Sequence, residues 1–128
     1  YQAGTLSGNP LATAAGLAVL NELSEARYTE LEGKAARFAD GLATALPDAQ
    51  VTRVGTLTGF FFSPEPVQNY EQAQKADHAR YAALFHHLLD RGHFLAPSGY
   101  ETLFVSLAHT DALIDETVAA TADFTATS

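Results

Sequence analysis

The 128-residue chain has no cysteine, no methionine and only two lysines, Lys34 and Lys75. Without a thiol it can form neither a disulfide nor a thiolate metal site, a composition that suits a cytoplasmic protein. Without methionine it has no initiator residue, and the expectation is a piece of a longer protein whose first residues fall inside a motif. Cations are scarce: seven Lys and Arg face fifteen Asp and Glu, for a net charge of −8. The five arginines are spread thinly, so no basic stripe exists for nucleic acid or an anionic membrane. No apolar run approaches the roughly 20 residues of a membrane span, and there is no signal-peptide pattern. GxxxxGK[ST], GxGxxG and HExxH are all absent. His86 and His87 are neighbours on a helix and point apart, while His93 and His109 read as isolated strand ends, so no metal is expected. Ser98 and Ser106 lack the strand–turn–helix elbow that would activate a nucleophile.

Hydrophobic residues make up 47% of the sequence, enough for one domain with a core and a connecting arm. The richest local signal is Gly4-Thr5-Leu6-Ser7-Gly8-Asn9-Pro10. Its glycines permit an unusual backbone path, Thr5 and Ser7 add hydroxyls, and Asn9 and Pro10 suit the N-cap and first position of a helix. Such a turn beside a helix N-terminus can either cradle a phosphate or simply cap the helix.

That first helix should run from Pro10 to about Leu23 and be buried. A break is expected over 24–28. Then a stripe at Tyr28, Leu31, Ala35, Phe38 and Leu42 predicts an amphipathic helix ending near Leu46, before Pro47. Strands are expected at Gln50–Val54 and Thr56–Ser63, with a turn at Gly55 and a bulge at Gly59. A helix from Asp77 to Arg91 should bury Tyr81, Leu84, Phe85, Leu88 and Leu89. Short strands at His93–Ala96 and Thr102–Ala108 come next. A last helix, capped by Thr110 or Asp111, should end near Phe124, leaving a frayed tail from Thr125. The fold class is α+β: a helical arm, then a short, mostly antiparallel sheet covered by helices. The division falls between 1–46, the phosphate-loop segment with its connecting helices, and 47–128, a small domain.

The run Tyr1-Gln2-Ala3-Gly4-Thr5-Leu6-Ser7-Gly8-Asn9-Pro10 resembles the GT-x-x-GNP segment of class III pyridoxal-phosphate aminotransferases. Its form QAGTLSGNP is most similar to the glutamate-1-semialdehyde 2,1-aminomutase group. The similarity continues, in order, through Gly59-Phe60-Phe61-Phe62, the helix from Asp77 to Gly92, Leu95-Ala96-Pro97-Ser98 with Glu101, and Phe104-Val105-Ser106-Leu107-Ala108-His109. Gly99-Tyr100 and Thr102-Leu103 depart from the group's pattern between those points.

The resemblance implies a fold-type I homodimer with pyridoxal 5'-phosphate as cofactor, passing through its pyridoxamine form. The implied activity is conversion of glutamate-1-semialdehyde to 5-aminolevulinate for tetrapyrrole synthesis. It implies that Gly4 and Thr5 bind the cofactor phosphate, Thr5 reaching the neighbouring subunit's site. The Schiff-base lysine would lie upstream, so no catalytic lysine is expected here and the chain alone should be inactive. Glu101 falls where the group carries a glutamate near the substrate entrance, and is either substrate-proximal or an exposed strand-end carboxylate. Related aminotransferases tend to place an arginine in this domain for a second substrate's carboxylate, whereas no Arg or Lys occurs after Arg91. That absence favours an intramolecular amino transfer. A class III ω-aminotransferase piece and a non-catalytic folding or dimerisation module remain the alternatives.

Overall fold

The computed structural model describes residues 4–127, with side chains as far as Thr125. Asn9 caps α1 (Pro10–Glu22): its Oδ1 accepts from the amides of Leu11 and Ala12 at 3.0 and 3.2 Å. The expected burial of this helix is not found. Every residue of α1 is exposed, Leu11 at 81%, because no other described element lies against it.

Only Leu23 and Ser24 separate α1 from α2 (Glu25–Ala45), a shorter break than expected. The Ser24 hydroxyl accepts from the Arg27 amide and starts the helix at once. The lower part of the predicted stripe is buried, at Ala35, Phe38 and Leu42, joined by Ala39 and Ala45. Tyr28 stays half exposed. α2 shares one core with the sheet and the later helices.

That core lies against one face of a three-stranded antiparallel sheet, order β1–β2–β3: β1 (Ala49–Val54), β2 (Leu57–Phe62) and β3 (Leu103–Phe104). In β2, Thr58, Phe60 and Phe62 point inward while the residues between them do not, the two-residue period of a strand with one buried face. The β1–β2 register is continuous from Ala49 opposite Phe62 to Val54 opposite Leu57. Gly59 sits within it opposite Thr52, so the expected bulge is absent.

Beyond the short α3 (Tyr70–Ala73), which the sequence did not signal, α4 (His78–Leu89) is capped by Asp77 and buries Tyr81, Leu84 and Leu88. Phe85 is half-buried, and Leu89, off this stripe, is exposed. The expected strand at His93–Ala96 is irregular, because β3 takes the available edge of β2. The strand expected over Thr102–Ala108 shrinks to two residues: His109 turns back, its amide donating to the Ser106 carbonyl, and ends the ladder.

Thr110 caps α5 (Asp111–Thr127), its hydroxyl accepting from the Leu113 amide. The tail is helical to Thr127 rather than frayed from Thr125, whose hydroxyl reaches the Ala45 carbonyl of α2. Ser128 lies outside the described residues. Arg37 pairs with Asp115 through two hydrogen bonds, 2.7 and 2.5 Å, and Lys34 with Asp111 at 3.4 Å, so ion pairs set the rotation of α2 against α5 at their solvent edge. Among the described residues no helix is long and apolar enough to cross a membrane.

One polar atom in this core lacks a partner. Thr58 is completely buried in β2 and its Oγ1 has no hydrogen-bond partner. A buried hydroxyl that lost its water without gaining a partner costs about 1–3 kcal/mol. Thr58→Val, which keeps the shape and removes the hydroxyl, is expected to raise the urea midpoint at unchanged m-value.

Candidate functional site

The turn before α1 is built from two overlapping backbone bonds, Ser7 N–H to the Gly4 carbonyl and Asn9 N–H to the Leu6 carbonyl. Gly8 makes this path available with a φ of 74°, a left-handed value that a side chain resists. These bonds, with the two that Asn9 Oδ1 accepts, occupy the amides of Ser7, Asn9, Leu11 and Ala12. The Thr5 hydroxyl and backbone are exposed, as is Gly4, so donors remain on the outer side of the turn. Tyr1, Gln2 and Ala3, the start of the motif, lie outside the described residues.

A cleft of about 540 Å³ opens on the other part of the molecule, between the 92–105 segment and α5. Phe94, Phe104 and Leu113 form apolar walls, and Glu101, His93 and His109 bring ionisable groups to the same space. Neither Gly4 nor Thr5 lines it, so the three residues singled out from sequence are not brought together within this chain. No lysine or arginine lines it either. Lys34 lies between Asp111 and Glu30, at 3.4 and 3.9 Å, and Lys75 is exposed.

One histidine tautomer is fixed by its partner. His109 Nδ1 lies 2.9 Å from the Ser106 amide. An amide can only donate, so Nδ1 is the acceptor and the ring proton sits on Nε2. The Thr117 hydroxyl lies 2.9 Å from the Leu113 carbonyl and 3.0 Å from His93 Nδ1. Both rings are thereby oriented, by the turn before α5 and by α5 itself. Sequence reading placed these residues at isolated strand ends; the shared cleft has no one-dimensional signal, because it joins positions 93 to 117. Among the described residues no group of three His, Asp or Glu could hold a metal ion.

Glu101 sits at the end of a tight turn, its amide donating to the Ser98 carbonyl at 3.1 Å. Tyr81, on α4, donates its hydroxyl to the Ala96 carbonyl at 2.7 Å. Burial, and secondarily the negative charge of Glu101, push the Tyr81 phenol up to about 12.

No family model matches the chain. Curated relatives do. A glutamate-1-semialdehyde 2,1-aminomutase of Roseiflexus castenholzii is 50% identical over 96% of this chain. One from Desulfosudis oleivorans is 50% identical over 92%. The matched region is their C-terminal portion. A solved glutamate-1-semialdehyde aminomutase of Pseudomonas aeruginosa, in complex with PMP, superposes with a TM-score of 0.85 at 26% identity over 97% of this chain. Over nearly its whole length the chain is similar to the C-terminal portion of glutamate-1-semialdehyde 2,1-aminomutases. It spans about 30% of the length of the curated relatives. An ω-transaminase from Sphaerobacter thermophilus, at 21% identity and a TM-score of 0.80, has the same fold.

Within this chain the candidate elements divide into an exposed turn before α1 and a cleft with a carboxylate. Tyr81 ties the second of these to the core, and its raised phenol has a measurable consequence. A phenol whose folded value lies above its unfolded value of about 10 contributes stability that is fully present below pH 10 and is lost as pH rises toward 12. Tyr81→Phe is expected to lose about 1 kcal/mol at pH 7, for the missing hydrogen bond, and to show a flatter loss of stability between pH 10 and 12. Urea unfolding at a series of pH values checks both.

Proposed function

We propose that this chain is the C-terminal part of a pyridoxal-phosphate-dependent aminomutase that converts glutamate-1-semialdehyde to 5-aminolevulinate, supplying tetrapyrrole synthesis in the cytoplasm. The observation that carries the reading is 50% identity to such aminomutases across nearly the whole chain. The cleft supports it: with Glu101 present and no cation on its walls, it lacks the side chain that would seat a second substrate's carboxylate. Residues 4–23 would be the arm, and α2 onward the small domain.

The donors present fit the cofactor's phosphate and nothing more of it. Gly4 and Thr5 offer backbone and hydroxyl donors next to the N-terminus of α1, the arrangement that favours an anion. No described lysine stands free in a cleft to hold the cofactor's aldehyde, so that role falls to a residue outside this chain. When bound, the cofactor supplies the electron sink through which an amino group is accepted and returned. This chain's part is to anchor the phosphate, Thr5 reaching the site of a neighbouring subunit in a homodimer, and to line the substrate's approach with Glu101.

Thr5→Ala in the full-length polypeptide is expected to weaken cofactor retention roughly tenfold or more, the order of one hydrogen bond to a charged group. Dialysis followed by absorbance of the retained cofactor measures it.

The full-length polypeptide should form 5-aminolevulinate from glutamate-1-semialdehyde with no added oxo acid. Amino exchange that requires 2-oxoglutarate and an amine donor would instead make it an ω-aminotransferase. The 128-residue chain by itself should leave the absorbance of added pyridoxal phosphate unshifted, and a borohydride-stable adduct on Lys34 or Lys75 would contradict the assignment. The exposed apolar residues of α1, Leu11, Leu17, Val19 and Leu20, favour self-association of the isolated chain, a non-catalytic behaviour that light scattering would detect.

A further inference from the structure

Glu101 stands at the surface, yet the turn that carries it is held from behind by Tyr81 and His78 of α4. Phe60 of the sheet core packs on Tyr81 with ring centroids 5.3 Å apart, so the Tyr81 ring is part of the core. Its hydroxyl leaves the core and donates to the Ala96 carbonyl at 2.7 Å, five residues before Glu101. Gly99 lies flat on the same ring: a Cβ there would meet Tyr81 Cγ at 3.1 Å and Cδ2 at 3.2 Å. Tyr100 stacks on His78, also of α4, at 4.4 Å between centroids. His78 is fixed in turn by its Nε2 bond with the Ala73 carbonyl, 3.0 Å. Within the turn, the Ser98 carbonyl accepts from the Glu101 amide and the Ser98 hydroxyl from the Tyr100 amide.

An exposed turn with two internal bonds would ordinarily sample several shapes, since loop segments with few buried contacts open at little cost. Here two successive residues of it, Gly99 and Tyr100, are pressed on α4, and its first carbonyl is tied to a buried hydroxyl. The backbone from which the Glu101 side chain extends, next in the chain, is thereby held on α4 beside the cleft.

We propose that Tyr81 is a positioning residue, which with Gly99 and the His78–Tyr100 stack sets the place of the Glu101 carboxylate on the cleft wall. The role of that carboxylate toward substrate rests on the function proposed above; the positioning does not. The influence of the Glu101 charge on the Tyr81 phenol is consistent with the two being neighbours.

The test has two readouts. The first is amide hydrogen exchange on this chain. Tyr81→Phe keeps the ring and removes the anchor, while Gly99→Ala keeps the anchor and forces the turn off the ring. Each should speed exchange of the Tyr100 and Glu101 amides at least tenfold more than that of the core amides of α4 and α5, which report only the general change in stability. Unchanged exchange at 100 and 101 in both variants would overturn the proposal, as would a uniform rise across the chain.

The second readout is a kinetic cycle in the full-length polypeptide. Tyr81→Phe should lower kcat/KM about tenfold, within the range that small misplacements of a reacting group produce. In a Glu101→Gln background the same change should add nothing. An equal further loss in that background would mean that Tyr81 acts by another route and would overturn the proposal. If the wild-type polypeptide has no aminomutase activity, the functional reading fails, and the exchange comparison alone decides whether Tyr81 holds the turn.

Discussion

Burial of one face of a three-stranded sheet is the constraint on which the rest of the structure depends. So small a sheet has no stability of its own, because its inner residues need a second layer to exclude water. Phe60 and Phe62 supply the face, packed edge to face at 5.8 Å, and Phe38, Leu42, Leu84 and Leu88 from α2 and α4 close over it. Once α2 and α4 are fixed on the sheet, α5 has one place left, beside α2, where the Arg37–Asp115 and Lys34–Asp111 pairs match. Both features of the cleft, its wall on α5 and the turn anchored on α4, result from that packing.

The core and the arm obey different rules. α2, α4 and α5 each have a buried stripe, and burial of its large apolar side chains, at about 1.5–3 kcal/mol each, offsets the cost of ordering the chain. In α1, the capping by Asn9 and the alanine content support a helix that buries nothing. A helix of 13 residues with no tertiary contact is near the limit of independent stability. Its apolar residues Leu11, Leu17, Val19 and Leu20 stay exposed, and the chain spans about 30% of the length of its curated relatives. The phosphate-type turn at its start and the Glu101 cleft share a polypeptide here, but not a site.

Much of the fold was legible because local rules are strong where they are single-valued. Asn9-Pro10 starts a helix and Pro47 ends one, and the β-branched and aromatic run around Thr58, Phe60 and Phe62 reads as a strand. Where the reading missed, a competitor absent from any local window had won. His93–Ala96 has strand-forming residues, yet the edge of β2 was taken by Leu103–Phe104. Thr102–Ala108 alternates well, but the His109 ring captured the Ser106 amide that a longer ladder would have used. Leu11 through Leu23 reads as a buried helix because hydrophobicity reports a preference, and the partner that would satisfy it is not among these residues.

The sequence by itself determined the helix boundaries set by caps and prolines, and the motif on which the resemblance and the proposed phosphate loop rest. These come from backbone geometry and periodicity, which act within a few residues. Only the tertiary structure decided that positions 93, 101, 109 and 117 share one cleft, that His109 Nδ1 accepts from the Ser106 amide, and that a core tyrosine holds the turn bearing Glu101. Each of those depends on which atom of a distant element arrives within hydrogen-bond reach, and the packing of α4 and α5 on the rest of the core sets those distances.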